Sequence, residues 1–271
     1  VRSTSSDFFF PRPNDVNTSD KPVLTPHLVI AHPGHELLLH GWISRTKPLV
    51  HVLTDGSGHS AAPRITQSAE GLRAVGAKPG RVFGRLTDRE AYAMIMEADV
   101  SKLLAIVDDV AADLEQHPPS MIVVDAVEGY NAVHDLCRLV AGAARAAAGV
   151  EAELYEFAIT EDPALPGAPI EFVLDDDEHA AKLERARRQA PTVADIDELL
   201  SRYGADAYRR EAFRRIDDWT LIGDGDEPPM YEILGEQRVA TGRYTHVVRR
   251  EHMLRLRDAL CAAAQERRCA F

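Results

Sequence analysis

The chain has 271 residues, enough for one large α/β domain with a sizeable core or one domain plus an appendage. Its hydrophobic and charged fractions (45% and 27%) are those of an ordinary soluble globular protein. A formal net charge of −12 argues against a nucleic-acid or anionic-membrane partner, either of which needs a basic face. Three cysteines (Cys137, Cys261, Cys269) make no CxxC pair, and no run approaches the roughly 18 apolar residues of a membrane span. A cytoplasmic protein acting on a small molecule is the expectation.

Residues 1–26 are rich in Ser, Pro, Asn and Asp and read as an arm without its own core. Phe8-Phe9-Phe10 is too short for a signal-peptide apolar region and is followed at once by Pro11. The triplet could tie the arm to the body or to a second subunit, so a homo-oligomer stays open. Leu28 to Ile30 reads as a short strand buried on both faces; Pro33 and Gly34 break it, and Leu37-Leu38-Leu39 begins a helix. Leu49 to Leu53 is a second buried strand ending in the turn Thr54-Asp-Gly-Ser-Gly58. Ile65 to Val75 has helical spacing closed by Gly76, and Arg81 to Leu86 is a third strand. Ala98 to Leu114 reads as one long amphipathic helix stopped by Pro118-Pro119.

Ser120 to Val124 is a fourth strand, followed by an exit segment, a helix from Asp135 to Ala148, and a fifth strand over Glu153 to Ile159. Strands alternating with helices predict a Rossmann-like open, mostly parallel sheet with helices on both faces. No GxGxxG or Walker-type loop supports a nucleotide cofactor. Beyond residue 160, Asp175-Asp-Asp177 marks a helix start, and Glu178 to Arg188 and Ile196 to Ile216 read as charged surface helices. A last helix closes the chain after Arg249-Arg-Glu-His252. The predicted division is therefore an arm over 1–26, an α/β core over 27–170, and a C-terminal helical extension over 171–271 packed on the core.

His32 and His35 fall on the first strand-to-helix turn, where an open α/β sheet places its ligand site. Two imidazoles three residues apart at a helix start can converge on one ion. His134, in the exit of the fourth strand, lies at the same sheet edge if the two strands are neighbours. Three histidines with no fourth protein ligand leave a position open, as catalytic metal sites do. A lone histidine at such a place reads first as a solvated loop or helix-start residue; the grouping brings the ligand reading level with it.

Ala31-His-Pro-Gly-His-Glu36 resembles the AHPDDE motif of the LmbE-like (PIG-L) superfamily of metal-dependent N-acetylglucosaminyl deacetylases. Leu53-Thr-Asp-Gly56 resembles that family's LTDG strand end, with Arg64 and Glu70 on the helix after it. Asn131-Ala-Val-His134-Asp135 falls where the family has HPDHD, and Lys182 and Glu211-Ala-Phe213 resemble its later Lys and E-x-F positions. The resemblance covers roughly residues 27–215. It implies zinc held at His32, His35 and His134, with imidazole replacing a carboxylate at 35.

The resemblance also exposes two departures. The family's general base is Gly34 here, and its intermediate-stabilising histidine is Asn131. Glycine cannot take a proton, whereas Asn131 can still donate to an oxyanion. Substitute candidates are His40, Asp55, His59 and Glu128, with Arg243, Tyr244, His246 or His252 reaching in from the extension. Three readings follow. One is a zinc-dependent hydrolase of an amide or related C–N bond in a small polar metabolite, in which a His₃ site acidifies water strongly enough to dispense partly with a base. Another is a non-hydrolytic metalloenzyme, with Fe(II) and dioxygen or with lyase or rearrangement chemistry. The third is an inactive binding protein.

Overall fold

The computed structural model describes residues 23–58, 62–188, 190–223 and 225–269. Most of the arm read over residues 1–26, with its Phe triplet, lies outside these, as does His59.

Strand β1 (Thr25–Ile30) runs into a 3₁₀ turn (His35–Leu39) and helix α1 (His40–Thr46). Next come β2 (Leu49–Thr54), α2 (Ile65–Val75), β3 (Lys78–Leu86), α3 (Asp88–Glu97), α4 (Val100–Gln116) and β4 (Pro119–Asp125). The chain continues through α5 (Ala132–Ala148), β5 (Leu154–Phe157), β6 (Ile170–Val173), α6 (Asp176–Arg187), α7 (Ala190–Tyr203) and α8 (Ala205–Tyr208). Strand β7 (Arg210–Arg215), α9 (Met230–Ala240) and α10 (Arg250–Cys269) complete it.

The sheet order is β3-β2-β1-β4-β5-β7-β6, with the first five strands parallel and β7 and β6 antiparallel. Strand order reverses between β1 and β4, so the loops leaving those two strands open a crevice at the sheet's C-terminal edge. Alternation along the strands feeds two cores: Val29, Leu53, Ile122 and Val124 face α4 and α5, while Leu28, Ile30, Val50 and Val123 face the Trp42 side. All eight are fully buried, which is why these strands read as continuous apolar runs.

Three expectations need correction. The helix read over Ala98–Leu114 is two helices: Ala98 (φ 50°) ends α3 in a left-handed conformation, and Asp99 caps α4 by accepting from the Lys102 amide. The helix read over Ile196–Ile216 stops at Tyr203, and Gly204 (φ 81°) turns the chain toward β7. Glu211, Ala212 and Phe213 are buried there because β7 lies between β5 and β6. The C-terminal region is therefore not purely helical: β6 and β7 widen the sheet. Its later part joins the α4/α5 core through Ile216, Ile222, Tyr231, Val248, Met253, Leu256 and Leu260. No described helix is long and apolar enough to cross a membrane.

Candidate metal centre

The turn after β1 carries His32 and His35 because Gly34 adopts φ 113°, a conformation L side chains rarely reach. The Gly34 amide donates to Glu36 Oε2 at 2.7 Å, and Ser68 Oγ donates to Glu36 Oε1 at 2.5 Å, so a buried carboxylate pins the turn from inside. His134 arrives on the first turn of α5, whose cap Asn131 accepts from the Val133 amide. The three rings meet edge to face, with centroids 5.4 Å (His32–His35), 5.2 Å (His32–His134) and 4.6 Å (His35–His134) apart.

Two of the rings are oriented from behind by carboxylates. His32 Nδ1 lies 2.9 Å from Asp88 Oδ1 and 2.8 Å from Thr54 Oγ1. His35 Nδ1 lies 2.8 Å from Asp125 Oδ2. The Asn131 amide is oriented by two donors: Tyr92 Oη (3.1 Å) and the Val133 amide (3.0 Å) both reach Oδ1, so Nδ2 faces His32 Nε2 at 3.2 Å. His32 is then protonated on Nδ1 and presents a lone pair at Nε2. His134 has no such anchor; its Nδ1 is buried without a hydrogen-bond partner.

Burial, reinforced by the neighbouring rings, holds the pKa of His35 and of His134 well below the ordinary imidazole value, so both are neutral. Burial works to raise Asp88, but bonds from His32, Thr54 and the Gly58 amide bring it down to about 2. Burial pushes Asp125 up to about 7, against hydrogen bonding from the Ala31 amide.

Three imidazoles at about 2.0–2.1 Å around a tetrahedral ion would set their ring centres about 5 Å apart, which the observed spacing matches. Carboxylate-backed imidazoles are the outer shell that metal-ligating histidines use. Among the described residues no group of three or more His, Cys, Asp or Glu converges closely enough to hold an ion as it stands. His32 and His35 are each held through Nδ1, and His32 Nε2 also meets Asn131 Nδ2, whereas His134 has no such anchor. The neutral rings of His35 and His134 and the orphaned buried nitrogen of His134 fit a divalent ion.

The rings form the floor of a cavity of about 600 Å³. Tyr92, Tyr130 and Arg64 line it near the histidines, Leu199 and Tyr203 of α7 form one wall, and Met230, Leu234 and Arg238 of α9 form another. Of the remaining sequence candidates, Asn131, Glu128 and Tyr244 reach the cavity. Glu128 is committed elsewhere: its carboxylate accepts from the amides of Ile159, Thr160 and Glu161. Asp55 turns back to accept from the Ser57 amide. His40 lies on α1 beside Lys182 and Glu211, on the far side of the turn. Arg243 and His246 are exposed and line no part of the cavity, and His252 accepts from the Arg249 amide at the start of α10.

Sequence reasoning missed Asp88, Asp125 and Tyr92. Asp125 ends an apolar strand at the site edge, a legible position. Asp88 had a signal in Thr87-x-x-Glu90, which forms the capping box of α3 and places Asp88 in its first turn.

No family model matches the chain, and no curated protein matches its sequence. Among solved structures, the chain is similar to the A40926 pseudoaglycone deacetylase (16% identity, TM-score 0.48, covering 67% of this chain and 88% of that one). It is also similar to a triple mutant of a deacetylase involved in the teicoplanin biosynthetic pathway (13%, 0.47, 72% and 99%). A third is the conserved protein TT1542 from Thermus thermophilus (17%, 0.47, 76% and 100%).

Proposed function

We propose that the chain is a divergent LmbE-like metal-dependent hydrolase that cleaves an amide or related C–N bond of a small polar molecule. His32, His35 and His134 would hold the ion, with zinc as the first choice. The observation that carries this reading is the packing of three imidazoles at one cavity floor with Asp88 and Asp125 behind two of them. When bound, such an ion supplies Lewis acidity and a water acidified toward neutral pH.

The chain's own residues do the rest. Asp88 and Asp125 hold the tautomers that turn Nε2 of His32 and of His35 away from the carboxylates. Asn131 Nδ2, its amide fixed by Tyr92 and the helix cap, is a neutral donor for a carbonyl oxygen gaining negative charge. Arg64, anchored through Nε to the Gly56 carbonyl, brings a guanidinium to the same cavity.

A second reading has one observation behind it. Beside the three rings, the Asp88, Asp125 and Glu128 carboxylates all have fixed structural partners, and Gly34 stands where the resembling motif carries its base. That favours a non-hydrolytic reaction at the same ion, with Fe(II) as the metal.

Metal content separates these readings. Elemental analysis of protein purified without an affinity-tag metal should find near-stoichiometric zinc in the wild type and loss of it in His35→Ala and His134→Ala. Release of amine from N-acyl compounds by the zinc form would then support hydrolysis. Iron accompanied by oxygen consumption would move the assignment to redox chemistry, and a metal-free wild type would overturn both.

A further inference from the structure

Helix α9 walls the cavity with one stripe, Met230, Leu234 and Arg238, spaced four residues apart. Its opposite face carries Glu232 and Glu236, and both pair with Arg249. Arg238 is turned away from those acids and has no carboxylate partner among the described residues; its contacts are with Tyr244. The guanidinium sits over the Tyr244 ring at 5.3 Å, and Nη1 lies 3.5 Å from Tyr244 Oη. The backbone enforces this stacking. Gly242 (φ 71°) turns the chain after α9, and the Tyr244 amide donates to the Arg238 carbonyl at 3.2 Å.

Other half-buried arginines without a carboxylate partner among the described residues, Arg64, Arg145 and Arg185, donate to the Gly56, Ala152 and Gln67 carbonyls, whereas Arg238 has only its contact with Tyr244. Arg202, on the facing wall, also lies over a tyrosine, Tyr203, but is exposed where Arg238 is half-buried. Arg238 lines the same cavity as Tyr92, whose hydroxyl bonds Asn131 beside His32. Arg238 and the rings thus line one cavity, with Met230, Leu234 and Tyr130 providing apolar and aromatic surface along it.

We propose that Arg238, braced by Tyr244, is the site that recognises a carboxylate on the substrate, so the enzyme's substrates are anionic amides with an apolar or aromatic body. This rests on the reading of the cavity as the substrate site of a hydrolase. A planar guanidinium matches a carboxylate through two parallel N–H···O bonds, and the low-dielectric cavity strengthens them. An ion held by the rings at the floor, together with the guanidinium at the wall, would fix both ends of one molecule.

The test uses N-acetylphenylalanine and its neutral carboxamide as probes, titrated calorimetrically into the full-length protein in zinc-loaded and metal-free forms. The wild type should bind the carboxylate probe at least tenfold more tightly in both forms. Arg238→Gln should abolish that difference while leaving the neutral probe's affinity in place, and Arg238→Lys should keep part of it. Equal binding of the two probes by the wild type, a preference that survives Arg238→Gln, or no binding of either probe would overturn the proposal. Hydrolysis followed on the same samples separates the two readings. Charge-selective binding without turnover supports the carboxylate site and counts against the hydrolase. Turnover of both probes with equal kcat/KM does the reverse.

Discussion

His35 Nδ1 and Asp125 Oδ2 lie 2.8 Å apart across the switch point of the sheet, joining the turn after β1 to the last residue of β4. The same oxygen accepts from the Ala31 amide at 2.8 Å and faces Cys137 Sγ at 3.7 Å. One buried carboxylate thus ties the β1 exit, the β4 exit and α5 together, and it settles which nitrogen of His35 is free. Asp125→Asn keeps the acceptor and removes the charge. Zinc affinity, measured by competition with a chromogenic chelator, should fall about 10- to 100-fold while the fold is retained. Unchanged affinity would mean that His35 is not a ligand.

Gly34 explains one departure from the resembling motif in backbone terms. At φ 113° a side chain at this position is strained, whichever residue supplies it. Gly34→Ala should cost about 1–3 kcal/mol in urea unfolding. Gly34→Asp should cost at least as much and should not raise the turnover of N-acyl substrates, because the turn held by Glu36 must first distort. A gain of activity in Gly34→Asp would show that the turn adapts and that the site lacks only its base.

The central sheet was readable because its strands are buried: Leu28–Ile30, Val50–Leu53 and Ile122–Val124 have no exposed face, and Pro33-Gly34 and Gly56 follow the first two within three residues. The imidazole trio was readable for a related reason, since strand exits from neighbouring parallel strands must meet. Asp88 was not, because only the β3–β2 pairing and the α3 cap bring it to His32. Strand β7 read as helix because its Arg- and Glu-rich composition favours one. What decides its state is Glu211, buried by pairing with Lys182, a contact 29 residues away in sequence. Arg238 was unreadable for want of any local pattern; its role depends on which acids Arg249 occupies.

Lys182 and Glu211 are fully buried partners 3.0 Å apart, and each also holds backbone in the 3₁₀ turn or α1, just after His32 and His35. Lys182 Nζ donates to the Leu38 carbonyl at 2.6 Å, and Glu211 accepts from the Gly41 and Trp42 amides at 3.0 and 2.6 Å. The ammonium lies 4.3 Å from the centre of the Tyr208 ring, and burial lowers its pKa. Lys182→Met leaves Glu211 charged without a cation and should cost about 3–5 kcal/mol in denaturant unfolding. The double variant with Glu211→Gln should recover part of that loss, because the unpaired charge goes too. Additive losses would show that the two side chains act independently.

At the opposite end of the sheet, His27 and His51 are fully buried and stacked at 5.7 Å, with Nδ1 of His27 3.4 Å from Nε2 of His51. His27 Nε2 lies 2.8 Å from the His117 carbonyl, and His51 Nδ1 is 3.9 Å from Asp113, which is itself bonded by Arg81. Gly80 lets the ring in, since a Cβ there would fall 2.4 Å from His51 Cε1. Burial lowers His27 and, more strongly than the nearby Asp113 can offset, brings His51 down to about 3. The unfolded chain takes up these protons near pH 6.5 and the folded chain does not, so acidification from pH 6.5 toward 3 favours unfolding through this pair. Asp125 and Asp135, both raised to about 7, act in the opposite sense because the folded state holds their protons longer. The pair's share is therefore isolated by difference. Urea midpoints of the wild type and His51→Gln, compared at pH 7.5 and 5.0, should show the wild type losing more stability on acidification. Parallel pH dependences in the two proteins would mean that His51 is already protonated in the folded state and that Asp113 outweighs its burial.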